Sequence, residues 1–264
     1  MKEALKKGKI KRILSDEGEG GVSREAHLLE YDGKKYLLRI CQSKATAKYH
    51  EKNYRRLEKY GFLPKLLYSE ENKLIFEYIH GRDCKRNDAI KVAYEIGKIA
   101  GTINKIKLDK NEIEDFNKKF YKKLRGLLRA KKIDKDLFNQ IKKKYSSLTK
   151  KVNPKIALEA TDIGANNFRI HKGKVFLVDI EMLRSSFKGR GIAKGFIKWF
   201  KTPGQKEKFK EGYSSVSSMK FFTKDYETFI YIFYLVTNAH AKHAREVDCS
   251  KQIKQLKKVI IGNH

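Results

Sequence analysis

The sequence predicts an α+β protein with a β-rich N-terminal lobe that contains one helix and a mostly helical C-terminal lobe. In the first eighty residues, short runs of alternating apolar and polar side chains are separated by turn residues, which is typical of strands. After residue 83 the apolar residues recur at steps of three and four, as in amphipathic helices. We expect the lobes to cover residues 1–79 and 80–264.

The N-terminal lobe is predicted to hold five strands and one helix. The helix covers Ala45–Tyr60, and Gly61 follows it as a C-cap. Tyr31-Asp-Gly-Lys34 has the residues of a tight hairpin turn between two of the strands. The strands are expected at residues 10–14, 23–30, 35–41, 66–69 and 73–78.

The C-terminal lobe is predicted to be built from helices, interrupted by one hairpin. The hairpin strands lie around residues 167–170 and 174–179, and His171-Lys-Gly173 joins them. The helices are expected at residues 88–106, 110–129 and 134–150, then from about Ile192 onward, with 224–244 the longest. An acidic cluster at the start of the second helix, Asp109, Glu112, Glu114 and Asp115, is either a solvated helix start or the lining of a pocket for a cationic acceptor.

The composition is that of a folded globular protein, with 40% hydrophobic and 35% charged residues. No apolar run approaches the ~20 residues of a membrane span, and the N-terminus lacks the apolar core of a signal peptide. Three widely spaced cysteines, Cys41, Cys84 and Cys249, form neither a disulfide framework nor a zinc pattern. We therefore expect a protein of the cytoplasm without a membrane span.

The formal net charge of +30 is the unusual feature of the composition. A charge of this size attracts polyanions such as RNA, an anionic membrane surface or a phosphorylated substrate. Most of the charges are lysines spread over amphipathic helices, and they are equally typical of solvated helix faces. Both interpretations stay open at this point.

The clearest chemical signal lies in Asp162-Ile-Gly-Ala-Asn-Asn167 and in Asp179. An amide follows the first carboxylate by five residues, and the second carboxylate ends the apolar run Val175-Phe-Leu-Val178. ATP-dependent phosphoryl transfer uses such a set, because one carboxylate orients the substrate hydroxyl while the amide and the other carboxylate hold Mg²⁺ against the phosphates. Asp and Asn also form ordinary turns, but a carboxylate buried behind an apolar run needs a partner such as a metal.

We therefore assign Asp162 as the catalytic residue, and Asn167 and Asp179 as the metal ligands. Asn166 takes the place of Asn167 if the loop is shifted by one residue. Glu181 is a further candidate, either as a support for these ligands or as a ligand of a second metal.

Further motifs occur along the chain in a definite order. The full set is Gly20-Gly-Val-Ser23, Leu38-Arg39, Glu51, Gly61-Phe-Leu-Pro64, Glu77-Tyr-Ile-His-Gly81, the Asp162–Asn167 segment and Val178-Asp-Ile-Glu181. This order resembles the aminoglycoside/choline phosphotransferase family, whose fold is protein-kinase-like, over roughly residues 10 to 240. It implies a nucleotide-binding N-terminal lobe, with ATP and Mg²⁺ as cofactors and a hydroxyl compound as acceptor.

The resemblance assigns the phosphate contacts to the N-terminal lobe. Gly20, Gly21 and Ser23 would contact the β- or γ-phosphate, because glycine lets backbone amides approach phosphate closely. A plain hairpin turn is the alternative for these glycines. Arg39 stands where the family places its phosphate-binding cation, and arginine can contact two phosphate oxygens at once. An exposed arginine at the end of a strand is the alternative for Arg39.

The resemblance also assigns a partner for this cation and the adenine contacts. Glu51 would form an ion pair with Arg39, and Glu58 is its rival for that role. The backbone of Glu77 to Ile79, at the end of an apolar strand, would form hydrogen bonds with adenine.

The sequence departs from the family pattern at three positions. Ala160-Thr161 replaces the His-Gly pair that precedes the catalytic aspartate, Asn104 stands where a histidine is frequent, and Arg39 replaces a lysine. These departures put activity in doubt and leave an inactive kinase-like protein as an alternative.

Three functions are consistent with these observations. The first is an ATP- and Mg²⁺-dependent phosphotransferase that moves the γ-phosphate to a hydroxyl of a small molecule. The second is a degenerate kinase-fold protein that binds a polyanion such as RNA. A protein serine/threonine kinase is disfavoured, because only Ile180–Ile192 is available for an activation segment and no Ala-Pro-Glu motif follows it. We expect the first function, with the acceptor open among sugars, nucleosides, choline-like alcohols and phosphorylated compounds.

Overall fold

The computed structural model describes residues 1–12 and 26–261. The chain forms two compact units, and each contains two separate stretches of sequence. The first unit is Met1–Arg86 with Ala165–Leu183, and the second is Asn87–Gly164 with Arg184–His264. The sequence-based proposal of two contiguous lobes, 1–79 and 80–264, has a single boundary instead, and it assigns residues 165–183 to the C-terminal lobe.

The first unit contains a five-stranded antiparallel sheet in the order β1-β2-β3-β5-β4. A short helix precedes it, and a longer helix connects β3 to β4. The elements are α1 Lys2–Lys7, β1 Lys9–Arg12, β2 Ala26–Tyr31, β3 Lys34–Ile40, α2 Lys44–Leu57, β4 Leu66–Glu70 and β5 Lys73–Glu77.

The predicted hairpin turn between β2 and β3 is confirmed. Asp32 and Gly33 both have positive φ, 51° and 65°, which two-residue turns of this kind require. One face of the sheet forms a core of Leu29, Leu38 and Ile75 with Ala4 from α1. Because side chains alternate along a strand, burial of Leu38 on this face directs its neighbour in β3 to the opposite face.

Helix α2 has a side-chain N-cap and is hydrogen-bonded to the sheet. Its N-cap Ser43 accepts a hydrogen bond from the Thr46 N–H at 3.1 Å. The Leu66 N–H donates to the Tyr54 hydroxyl at 2.9 Å. A 3₁₀ turn follows α2, and Gly61 ends it with φ 68° as the predicted left-handed C-cap.

A three-stranded antiparallel sheet completes the first unit, in the order β6-β8-β9. The strands are β6 Arg82–Asp83, β8 Phe168–His171 and β9 Lys174–Leu177. Lys172 and Gly173 have positive φ in the predicted turn between β8 and β9. Phe168 lies opposite Leu177 in this hairpin. The residue before Phe168 and the residue after Leu177 therefore lie close together at the open end of the hairpin.

The second unit is mainly helical, with one two-stranded sheet formed by β7 and β10. Phe120, Tyr145, Phe187, Phe229 and Phe233 form its aromatic core. No helix in residues 1–12 and 26–261 is long and apolar enough to cross a membrane. The elements are α3 Ala89–Ile103, α4 Phe116–Arg129, α5 Lys135–Val152, β7 Ile156–Ala160, β10 Leu183–Phe187, α6 Arg190–Lys198, α7 Pro203–Ser214, α8 Lys224–His243 and α9 Ser250–Ile261.

The acidic cluster before α4 serves as helix caps. Asp109 and Glu112 form a capping box around a separate 3₁₀ turn, and Asp115 caps α4 by accepting from the Lys118 N–H at 2.9 Å. The helix that is predicted from Lys110 therefore begins only at Phe116, because the 3₁₀ turn ends first and α4 has its own N-cap.

Helices α3 and α7 pack with almost no space between their backbones. A Cβ atom on Gly97 would lie 2.0 Å from the Phe209 carbonyl oxygen, and one on Gly212 would lie 1.9 Å from the Tyr94 carbonyl oxygen. Such distances are far inside van der Waals contact, so this helix pair requires glycine at both positions.

We predict that Gly97→Ala lowers the free energy of unfolding by about 1–3 kcal/mol, because the added methyl group forces α3 and α7 apart. Urea unfolding of the purified variant measures the change. Gly204→Ala in α7 is the matched control, since a Cβ atom at that position would have nothing within 4 Å. There alanine gains helix propensity and should stabilise by up to about 1 kcal/mol. Equal effects of the two substitutions would contradict the proposed close contact.

Candidate active site

Arg39 is the centre of the polar cluster in the first unit. Only 3% of its side chain is exposed, on the face of β3 opposite Leu38. Its Nη2 lies 2.8 Å from Asp179 Oδ1, and its Nη1 donates to Glu181 Oε1. The guanidinium thus joins two carboxylates through both arms of its planar fork. The alternative of an exposed arginine at a strand end is excluded.

A short turn after β9 places both carboxylates. Asp179 is the N-cap of the 3₁₀ turn Ile180–Met182, and its Oδ1 accepts from the Glu181 N–H at 3.1 Å. Their side chains are 30% and 24% exposed. Two carboxylates and one guanidinium leave a formal charge of about −1, so the cluster can still attract a cation.

Asn167 lies beside this turn. The Val178 N–H donates to the Asn167 carbonyl oxygen at 2.9 Å, just beyond the paired residues Phe168 and Leu177. Asn167 is 6% exposed. The hairpin β8–β9 therefore brings Asn167 close to Asp179, as the sequence analysis expects of two metal ligands.

The donors in this corner fit a magnesium ion. Mg²⁺ prefers oxygen ligands and keeps several waters, so one or two carboxylates suffice when phosphates complete the shell. Asp179 supplies a carboxylate, Asn167 an amide oxygen, and Glu181 a second carboxylate nearby. In the described part of the chain, no three or more His, Cys, Asp or Glu side chains form a self-sufficient metal site.

Glu51 is not the partner of Arg39, and this prediction is wrong. Glu51 accepts from the Ser69 hydroxyl at 2.7 Å and pairs with Arg55 at 3.5 Å. Its side chain lies on the side of α2 that faces β4, one helical turn from Arg55. The rival Glu58 also pairs with Arg55, at 2.9 Å. The sequence analysis did not identify Glu181, two residues after Asp179, as the second carboxylate that pairs with the guanidinium.

Glu77 and Ile79 lie at the end of β5. The Glu77 N–H donates to the Lys65 carbonyl, and its side chain accepts from the Lys65 N–H, both at 2.9 Å. The Ile79 side chain is buried, and its carbonyl accepts from the Gly81 N–H. A cavity of about 310 Å³ borders this segment, lined by residues 33–36, 77, 78 and 80. Gly20, Gly21 and Ser23 lie outside the described residues.

Asp162 belongs to the second unit, two residues after the end of β7. Its Oδ1 lies 2.5 Å from Nζ of Lys194 on α6, and the two side chains are 40% and 29% exposed. Both side chains are thus partly exposed. Burial, and after it the nearby charge of Asp162, raises the pKa of the Tyr234 hydroxyl on α8. Sequence reasoning gave no role to Lys194, because nothing in its local pattern distinguishes it from the other helix lysines.

A buried carboxylate lies three residues before Asp162. Glu159 is 1% exposed and accepts from Asn104 Nδ2 at 2.6 Å and from the Gly189 and Gly191 N–H groups at 3.1 Å each. Burial raises the pKa of Glu159 to about 7, although these hydrogen bonds act in the opposite direction. The Asn104 oxygen in turn accepts from the Tyr213 hydroxyl at 2.6 Å. The sequence analysis gave no role to Glu159, although a carboxylate inside the apolar run Ile156–Ala160 is a signal that could have indicated this cluster.

Comparison with solved structures identifies the architecture. Choline kinase LicA from Streptococcus pneumoniae superposes with a TM-score of 0.73 at 15% identity, over 98% of this chain and 96% of that chain. The chain has a protein-kinase-like fold. An ethanolamine kinase from Plasmodium vivax gives 0.70 at 17% identity, over 98% and 83% of the two chains. Spectinomycin phosphotransferase APH(9)-Ia with ADP and spectinomycin gives 0.66 at 16% identity, over 98% and 94%.

These likenesses confirm the fold expected from the order of the motifs. No family model matches the sequence, and no curated protein matches it either. The fold is therefore retained where almost all of the sequence differs. The function of this kinase-like chain has to be argued from its own residues.

We predict that Arg39→Met lowers the free energy of unfolding by roughly 3 kcal/mol, because Asp179 and Glu181 then face each other without the buried cation. Arg39→Lys should lose less, since an ammonium keeps the charge but cannot hold both carboxylates with a planar fork. Urea unfolding measures both variants.

Lys34→Met is the control for this series, because it removes an exposed positive charge from the same strand. It should change the unfolding free energy by less than about 0.5 kcal/mol. A loss in Arg39→Met no larger than in this control would show that the two carboxylates do not depend on the guanidinium.

Proposed function

We propose that this protein is a phosphotransferase that moves the γ-phosphate of ATP to a hydroxyl of a small molecule with the help of Mg²⁺. The observation that carries the proposal is the buried Arg39 between Asp179 and Glu181, with Asn167 beside them. Structures of similar fold include kinases of choline and ethanolamine and a spectinomycin phosphotransferase, one of them with ADP bound.

The first unit supplies the groups that we assign to the nucleotide. Arg39 remains our assignment for a phosphate contact, which it would make by exchanging one of its two carboxylate partners for a phosphate oxygen when the nucleotide binds. Gly20, Gly21 and Ser23 remain our assignment for the phosphate-contacting turn. The backbone from Glu77 to Ile79 is proposed to bind adenine.

Mg²⁺ would be held by Asn167 and Asp179, with Glu181 near enough to support Asp179 or a second ion. The ion would neutralise charge that develops on the phosphate oxygens during transfer. Arg39 would keep the direction of the Asp179 and Glu181 side chains in the absence of the nucleotide. The short contacts around Arg39 thus prepare the ligands before the ion binds.

Asp162 is proposed to orient the acceptor hydroxyl and to accept its proton as the oxygen attacks the γ-phosphorus. The new oxygen–phosphorus bond forms while the bond to ADP breaks, so ADP leaves with the electron pair. The ion pair with Lys194 limits the rotation of the Asp162 carboxylate, which aids the orientation of the hydroxyl.

The acceptor class follows from the charges around Asp162. Lys194 lies beside it, and the charge of Arg190 also acts on the same region. A cationic group next to the acceptor hydroxyl would be repelled by Lys194. We therefore propose a neutral or anionic alcohol, such as a sugar or a phosphorylated compound, in preference to a choline-like one.

We propose the cytoplasm as the compartment. Cys41, Cys84 and Cys249 are all buried free thiols, which a reducing environment preserves. The net charge of +30 would favour an anionic substrate, and an RNA partner is the alternative that it suggests.

We predict that Asp162→Ala reduces turnover by roughly 10²- to 10⁴-fold while it leaves Mg²⁺–nucleotide binding intact, because the lost group acts on the acceptor. Asp179→Ala should weaken both. Calorimetric titration with a non-hydrolysable ATP analogue, with and without Mg²⁺, gives the affinities, and ADP release gives turnover. Asp225→Ala is the control, since this residue forms an exposed ion pair with Lys151.

Two outcomes would contradict the assignment. Turnover near that of the wild type in both variants would show that the aspartates have been given the wrong roles. Absence of Mg²⁺–nucleotide binding at millimolar concentration would overturn the phosphotransferase. RNA binding that falls steeply with added salt would then favour the polyanion-binding alternative.

A further inference from the structure

Glu159 and its partners form a buried polar cluster that the proposed reaction does not use directly. The carboxylate on β7 receives three hydrogen bonds, two from the start of α6 and one from Asn104 at the end of α3. Asn104 also donates to the Leu158 carbonyl at 2.8 Å and accepts from Tyr213 on α7. One carboxylate therefore connects four elements of the second unit.

Helix α6 is held directly against the segment that carries Asp162. A Cβ atom on Gly191 would lie 1.8 Å from the Ala160 carbonyl oxygen, and one on Gly195 would lie 3.1 Å from Ile163 Cγ2. The same helix carries Lys194, the ion-pair partner of Asp162. The position of α6 therefore sets both the packing around the Asp162 segment and the reach of Lys194.

The hydrogen bonds of Glu159 are best satisfied by an ionised carboxylate. All three of these donors are N–H groups, so a proton on either carboxylate oxygen would face another donor. Two of the donors are backbone amides at the start of α6, where the helix dipole also favours a negative charge. Protonation would remove at least one of these bonds and loosen α6.

We infer that Glu159 is a positioning residue for phosphoryl transfer, whose ionised carboxylate holds α6 so that Lys194 orients Asp162. The inference rests on the proposed function. It adds to that proposal a residue that touches neither nucleotide nor acceptor and acts through α6.

The titration of Glu159 gives this role a measurable signature. Burial raises its pKa to about 7, so the carboxylate changes its charge near neutral pH. The charged and titratable groups that act with it are Arg190 on α6, Tyr213 on α7 and Tyr226 on α8. The pKa of each tyrosine is raised, away from neutrality, and arginine stays protonated, so Glu159 alone changes charge in this cluster.

Activity and stability should respond to this titration in opposite directions. Turnover needs the ionised form and should rise as the pH passes the pKa of Glu159. Stability follows the raised pKa, because the folded protein binds the proton more tightly than the unfolded chain with its ordinary value of 4.5. The contribution of Glu159 to the unfolding free energy is therefore lost as the pH rises from 4.5 to about 7.

The test compares wild type with Glu159→Gln from about pH 5.5 to 8.5. Mg²⁺–ATP is the probe, water is the acceptor, and ADP release is the readout. We expect wild-type kcat to rise with a midpoint near the pKa of Glu159. The variant should be roughly 10- to 100-fold slower at the upper end, flat across this transition, and similar in its KM for ATP. Glu207→Gln, which affects an exposed pair with Lys210, should follow the wild type.

Urea unfolding of the same proteins gives a readout that does not need turnover. The stability of the wild type relative to Glu159→Gln should fall as the pH rises through this interval. If the variant fails to fold, Tyr213→Phe replaces it. Loss of the hydroxyl that orients Asn104 weakens the bonds to the carboxylate and should move the midpoint of kcat to higher pH.

Parallel profiles of ADP release in an active wild type and Glu159→Gln would overturn the inference and leave the proposed function standing. An unchanged midpoint in Tyr213→Phe would do the same. A wild type that releases no ADP at any pH would overturn the proposed function, and the positioning role with it. The unfolding difference would then still report whether Glu159 titrates near neutral pH.

Discussion

The buried guanidinium of Arg39 is the interaction on which the first unit's polar cluster depends. Desolvating a charge is expensive, and it is tolerated here because both arms of the fork meet carboxylates. Those carboxylates belong to a turn that is distant in sequence, so the ion pairs fasten the returning segment Ala165–Leu183 to strand β3. The same contacts set the direction of Asp179 and Glu181. A single buried cation thus holds the chain in place and prepares the candidate metal ligands.

The second unit also contains a buried charge, but this charge is negative. Glu159 has no carboxylate-binding arginine fork among the described residues, and backbone N–H groups and an amide satisfy it instead. Neutral donors compensate a buried charge less completely than a cation does, which is why burial dominates and its pKa rises to about 7. The two units therefore contain buried charges with different compensation, a guanidinium held by two carboxylates and a carboxylate held by neutral N–H donors.

Much of the fold could be predicted from the sequence, because strong local signals agree with the final structure. The turn at Asp32 and Gly33 and the cap at Gly61 follow from residues that tolerate positive φ. The strands β7 and β10 are absent from the sequence-based prediction. Each strand is short, and the carboxylate in β7 interrupts the apolar run that would indicate a buried strand. The predicted start of α4 is too early, because the helix periodicity continues through a separate capped turn.

The candidate site residues could be selected from the sequence, but their pairing could not. Asp162, Asn167 and Asp179 follow from their spacing, whereas the resemblance alone pointed to Glu51 as the partner of Arg39. A side chain on α2 can satisfy itself locally, and Glu51 does so with Ser69 and Arg55. Long-range pairing depends on how two distant segments meet, and local pattern contains no such information.

The departures Ala160-Thr161 and Asn104 lie next to Glu159, in sequence for the first pair and through a hydrogen bond for Asn104. Asn104 donates a hydrogen bond to Glu159, and Gly191, which has no Cβ atom, lets α6 approach the Ala160 carbonyl oxygen closely. Because Asn104 also donates to the Leu158 carbonyl oxygen, it holds the segment that leads to Asp162 through both its backbone and the Glu159 carboxylate.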